Sequence, residues 1–399
     1  MCQSLGSAGM VLAATVAPLV VTRLAGSPAW AGAPVAIAQT GAASVAFLWG
    51  SLMDLAGRRP TLALGVGVGV LGSLLAGGAV VGAALWPYLA GVCLMGMANS
   101  ALLLGRFVAA EVAAPERRGR AISTVVLGGT VGAVLGPALV APTSRAATEL
   151  GVEPLSGPFA ASAVLFATVV AVILAGLRPE PRELARRRAS ASAQVEPPPP
   201  RPLGRILRLP ETRVAIATMA LAQAVMVMLM VITAVHMEAH DHHLAGISFV
   251  ISSHVLGMYA FSVVSGRASD AWGRRPVIAA GGLALAAACL WAPLSTRLLP
   301  LSGALFLLGL GWNLCHVAGS ALLADPLGPE ERGGTQGFAD TVMGAASALG
   351  ALASGIVFAA VGFASMAWLA AGVSLVPVAL SLRGAVAPTA ASPRAGQAR

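Results

Sequence analysis

Apolar and polar residues in this chain fall into long blocks: runs of about twenty apolar residues separated by short segments that hold nearly all the charge. A run of that length crosses a bilayer as a helix, since about 20 residues rising 1.5 Å each cover the hydrocarbon core. Twelve such runs are predicted. In the first half they lie at about 5–24, 34–52, 61–82, 87–110, 121–141 and 158–177. The second half gives about 212–235, 246–266, 277–296, 300–323, 336–360 and 364–383. Within lipid every backbone N–H and C=O must be bonded inside its own segment, so these runs predict helices. The expected fold is an all-α membrane protein with twelve transmembrane helices in two six-helix bundles.

One long segment interrupts the series. Residues 178–211 are polar, Arg-rich and then Pro-rich, so they predict a linker that neither spans nor needs to fold. This divides the chain into a first bundle at 1–177, a linker at 178–211, a second bundle at 212–384 and a tail at 385–399.

The two halves carry the same punctuation. Gly50–Pro60 reads GSLMDLAGRRP and Gly266–Pro276 reads GRASDAWGRRP. Asp54, Gly57, Arg58, Arg59 and Pro60 thus recur as Asp270, Gly273, Arg274, Arg275 and Pro276. A second set, Asn99, Gly105, Glu111, Pro115, Glu116 and Arg118, recurs at nearly the same offset as Asn313, Gly319, Asp325, Pro329, Glu330 and Arg332. Two correspondences at nearly the same offset predict duplicated bundles running parallel, related by an axis along the membrane normal.

Composition agrees with a membrane protein. Of 399 residues, 57% are hydrophobic and 10% charged, against about 25% charged in soluble domains. All 25 basic residues are Arg, and the net charge is +9. A nucleic-acid partner is not implied, because most Arg sit between apolar runs. Only Arg23, Arg145 and Arg297 fall in odd-to-even loops; the other 22 lie on the opposite side, which predicts both termini and the linker in the cytoplasm. Arg23 opposes that bias. Four scattered Cys give no disulfide framework, and the first apolar run lacks the basic start of a signal peptide.

These loops and spans resemble the major facilitator superfamily of secondary transporters. Its loop signature G-x-x-x-D-x-x-G-R-[RK] is met by Gly50, Asp54, Gly57, Arg58 and Arg59, and again by Gly266, Asp270, Gly273, Arg274 and Arg275. The resemblance implies a gate at the cytoplasmic face, with the two Asp as ion-pair or helix-end partners and the four Arg bridging the halves. Span five, with Gly128, Gly132, Gly136 and Pro137, resembles the signature of proton-coupled exporters in that family. Val92 stands where such exporters often carry Arg in span four, so the resemblance supplies no coupling group.

The resemblance also implies that spans one, four, seven and ten line a central cavity. Asn99, Gln223, Met226, Met230, Asn313 and His316 are the candidate cavity residues, and amides, Met and apolar walls suit a weakly polar organic compound. His254 and His316, the His within spans, and Asp340, a carboxylate one turn into span eleven, are the candidates for carrying a proton. His236, His240, His242 and His243 crowd the loop after span seven, but no relay of metal ligands continues into the membrane, so no metal site is expected.

No phosphate-binding loop, zinc-protease motif or nucleophile elbow is present, which excludes an ATP-driven pump and an enzyme and implies no cofactor. The expectation is a monomeric secondary transporter of a bacterial inner membrane, exporting a small organic solute against protons by alternating access. Competing readings are a metabolite importer and a non-transporting membrane receptor.

Overall fold

The computed structural model describes residues 1–112, 118–177 and 201–383. The side chains of Asp54, Glu111, Pro115, Glu116, Arg118, Pro329 and Glu330 lie outside the described residues, as do the linker from 178 to 200 and the tail from 384.

In the first half, α1 is Cys2–Ala25, α2 Ala33–Ala56, α3 Arg58–Val81 and α4 Leu85–Val112. There follow α5 Arg118–Ala138, α6 Val140–Glu149 and α7 Gly157–Gly176. The second half comprises α8 Pro210–Glu238, α9 Leu244–Tyr259, α10 Ser262–Trp272, α11 Arg274–Trp291, α12 Leu298–Ala324 and α13 Pro329–Arg383. Ten helical stretches among the described residues are long and apolar enough to cross a membrane, α9 and α10 together forming one of them. The bent pair α5 and α6 makes an eleventh span, and Gly362, at φ 77° inside the 55-residue α13, divides that helix into two. Twelve spans result.

Two predicted spans are broken. Span five turns by 46° after Pro137, whose ring removes a ladder hydrogen bond and crowds the preceding turn. Span eight separates into α9 and α10 at Ala260 and Phe261. A break in lipid needs side chains to satisfy the freed backbone groups. Asn313 does this: its Nδ2 donates to the Met258 carbonyl at 2.6 Å and to Ser262 Oγ at 2.9 Å, and its Oδ1 accepts from Ser265 Oγ at 2.5 Å.

Packing repeats between the halves. α1 packs on α5 and α7, α3 on α4 and α7, and α2 on α4. In the second half α8 packs on α13, α11 on α12 and α13, and α9 on α12. Leu12, Tyr88, Phe159 and Phe166 are buried in one core, and Leu229, Ile232, Ile278 and Leu305 in the other half. Phe47, Leu64, Leu71, Leu283 and Trp368 stay exposed, as lipid contact requires.

Candidate transport site

Each Gly-Arg turn is built the same way. Gly57 sits at φ 100°, ψ 168° and Gly273 at φ 90°, ψ 161°, a backbone region that a Cβ would strain. The first Arg of each turn reaches back to the helix it follows: Arg58 donates to the Met53 carbonyl at 2.6 Å and Arg274 to the Ser269 carbonyl at 2.9 Å. The second Arg reaches the last helix of its own half, Arg59 to the Leu174 carbonyl and Arg275 to those of Leu380 and Ser381. A guanidinium on terminal carbonyls satisfies orphan acceptors and complements the negative end of the helix dipole. Arg274 also pairs with Asp270 at 2.6 Å and Asp325 at 3.2 Å. These contacts fasten each turn to its own half. Gly50 and Gly266 have open space where a Cβ would stand.

At the opposite end the halves meet. Arg23 on α1 pairs with Glu238 on α8 at 2.5 Å and with Glu153 at 3.4 Å. The arginine that sequence charge bias leaves unexplained therefore has carboxylate partners. Beside it the backbone of Gly32 lies against Ala351, and Gly355 against the Ala29 carbonyl, an approach that only small residues allow. The His cluster ties down this end: His236 stacks on Phe363 with centroids 4.1 Å apart, and His242 Nε2 lies 2.7 Å from the Thr296 carbonyl. No group of three His, Cys, Asp or Glu fit to hold a metal occurs among the described residues.

Between this closed end and the Gly-Arg turns lie two chambers that share Asn99 and Leu103. One, of about 540 Å³, is bounded by α2, α4, α8 and α13, with Gln39, Asn99, Gln223 and Asp340 in its wall. The other, of about 300 Å³, adds Gln3, Arg106 and Tyr259. Arg106 Nη2 lies 3.4 Å from Asp340 Oδ2, joining the halves at the turn-side edge of the cavity, and Gln336 donates to Asp340 Oδ1 at 3.0 Å.

Of the predicted cavity residues, Asn99 and Gln223 are in the walls. Gln223 Oε1 accepts from Trp312 Nε1 at 2.7 Å, and Trp312 stacks on His316 at 4.7 Å. Met226 is buried and Met230 half-buried on the same helix. Asn313 is buried and engaged at the break of span eight, and is not among the residues that line either chamber. His254 is fully buried, with Nδ1 3.0 Å from the Leu305 carbonyl. On α5 the glycines pack against α1: a Cβ at Gly132 would collide with the Ser4 carbonyl, and one at Gly136 would stand 3.0 Å from the Ala8 carbonyl.

Sequence reasoning missed Arg106, Gln39, Gln3 and Tyr259. Arg106 was available: it follows Asn99 by two helical turns and so shares its face, but it reads as a charge at a span end.

Comparison with known proteins decides the family. The model of the Major Facilitator Superfamily matches residues 1–246 and 214–398. The chain belongs to this superfamily. It is therefore a multi-pass membrane transporter and not an enzyme. Among its superfamily relatives, it is 32% identical over 395 residues to YdeG of Bacillus subtilis strain 168, an uncharacterized MFS-type transporter, covering 96% of this chain and 90% of that one. It is 28% identical over 384 residues to the riboflavin transporter RfnT of Brucella anthropi, covering 96% and 94%. Among solved superfamily structures, a bacterial homolog of the human lysosomal transporter Spinster, inward-facing and occupied, superposes with a TM-score of 0.75 at 14% identity, covering 96% and 94%. At that identity the likeness shows the fold alone.

Proposed function

We propose that this transporter couples proton entry to export of a small organic solute by alternating access, with Asp340 as the proton carrier. The carrying observation is the Arg106–Asp340 pair, which joins the halves at the edge of the cavity. Protonating Asp340 removes its charge and releases Arg106, so the halves lose one restraint at that end. Solute in the larger chamber lies beside Asp340, which lines it, so one cavity senses both ligands. His316 and His254 are poorer carriers, because His316 is stacked on Trp312 and His254 is sealed in packing.

The distribution of Arg supports a cytoplasmic position for the Gly-Arg turns and the linker. The Arg23–Glu238 end then faces outward and is closed, and the cavity takes solute from the cytoplasm. The Gly/Pro pattern of α5 supports export over import. Arg58, Arg59, Arg274 and Arg275, with the two Asp, act as the cytoplasmic gate by fixing the ends of the helices that must move together. A monomer suffices, since both halves of the cavity come from one chain. The riboflavin relative makes a flavin the first solute to try.

The test is solute movement in vesicles holding the purified protein under an imposed proton gradient. Wild type concentrates solute with the gradient, and Asp340→Asn still exchanges solute but does not concentrate it. Concentration by Asp340→Asn at the wild-type level would remove Asp340 from the mechanism.

A further inference from the structure

The larger chamber describes its ligand. We infer that it takes an uncharged, flat heterocycle with an amide or imide edge; this rests on the transport reading and names its substrate class.

The walls are two facing helices from opposite halves. α2 offers Ala42 and Ala46, and α13 offers Gly344 and Ala348. Faces of Ala and Gly are flat, and where they oppose each other they leave a slot that a ring fills better than a branched body. The slot is pinned at one edge, where Gln39 Nε2 lies 3.7 Å from the point a Gly344 side chain would occupy.

The polar groups are amides. Gln39, Asn99 and Gln223 reach the slot from α2, α4 and α8. Gln39 and Asn99 engage no protein group through their side chains among the described contacts. Gln223 has its oxygen fixed by the donor-only Trp312 indole, which leaves its NH₂ for the chamber. A carboxamide sets a donor beside an acceptor and pairs with an amide or imide edge through two hydrogen bonds, as it does with adenine. Charge in the cavity is balanced, since Arg106 lies on Asp340, and a solute with a net charge would lose its hydration without an opposing partner.

The test uses purified full-length protein and direct binding of lumichrome, followed by its fluorescence, with N3-methyl-lumichrome, mannitol and tetraphenylphosphonium as competitors. Lumichrome is expected to bind and its N3-methyl form to bind about tenfold more weakly, the loss set by one edge of hydrogen bonds. Asn99→Ala and Gln39→Ala should narrow that difference to under about threefold. Gly344→Leu, which fills the slot, should abolish binding of both flat compounds while thermal unfolding shows the variant folded. Competition by mannitol or tetraphenylphosphonium, undiminished binding to a folded Gly344→Leu, or no binding of lumichrome overturns the inference. Because binding needs no gradient, lumichrome that binds but never moves would overturn transport and leave the slot standing. Movement of mannitol or the cation alone would do the reverse.

Discussion

Arg106 and Asp340 face each other at 3.4 Å from opposite halves of the molecule, at the edge of a cavity that both halves build. Both side chains are part-exposed, so the pair is a weak clamp rather than a structural bolt. Arg106→Gln should therefore leave the melting temperature within a few degrees of wild type and reduce gradient-driven accumulation by up to about fivefold, the effect of removing one contact of up to about 1 kcal/mol from a coupled step. Loss of folding in place of coupling would show that the pair holds the structure together.

Arg23 and Glu238 close the other end. An exposed pair contributes about 0–1 kcal/mol, so Glu238→Gln should raise the population open at that end by up to about fivefold. The readout is labelling by a membrane-impermeant thiol reagent at a cysteine placed at Ala29, in a chain whose four native cysteines are replaced. Reversing the charges as Arg23→Glu with Glu238→Arg, and neutralising the second partner as Glu153→Gln, should restore protection. Equal labelling in all three chains would mean that the apposed backbones at Gly32 and Gly355 close the end alone.

Arg201, within the predicted linker, is clasped to the second half. Arg201 pairs with Glu331 at 2.6 Å and donates to the Pro326 carbonyl at 2.6 Å. Glu331 is pushed down to about 2, first by the Arg201 guanidinium and then by the backbone N–H groups of Gly328 and Arg201. A carboxylate depressed in the folded state contributes its stability above its unfolded value of about 4.3 and loses it as pH falls through about 2. Tryptic cleavage after Arg205, the next arginine along this segment, should thus be independent of pH above about 5 and several-fold faster in Glu331→Gln. Release of wild type between neutral pH and pH 5 would assign the clasp to another group.

Gly132 and Gly128 lie one turn apart on α5 yet should differ. Gly132→Ala drives a methyl into the Ser4 carbonyl, and overpacking of that kind costs about 1–3 kcal/mol. Gly128→Ala meets Ser4 Oγ at 3.2 Å, which a rotamer change relieves, and Ala gains up to about 1 kcal/mol in helix propensity. Thermal unfolding in detergent should show only the first as destabilised.

Twelve spans and the duplicated turns were legible because each is a local property: length of an apolar run, a repeated string. The break in span eight was not, since it depends on Asn313, a residue of another helix. The same residue shows why cavity membership was only half legible. Asn99 and Asn313 are repeat mates with the same helical phase, but one faces a chamber and the other fills a gap in a neighbour. Arg106 was overlooked because a charge near a span end is usually a topology signal, and only its Asp340 partner distinguishes it.

The matched turns at Gly57 and Gly273 make the molecule its own control. Arg58 and Arg274 reach equivalent carbonyls, and Arg59 and Arg275 reach the closing helices of their respective halves. The segments Gly50–Pro60 and Gly266–Pro276 are thus interchangeable parts: trading one for the other should leave both bundles folded. Whatever function such a chimera loses then belongs to the few positions at which the two copies differ.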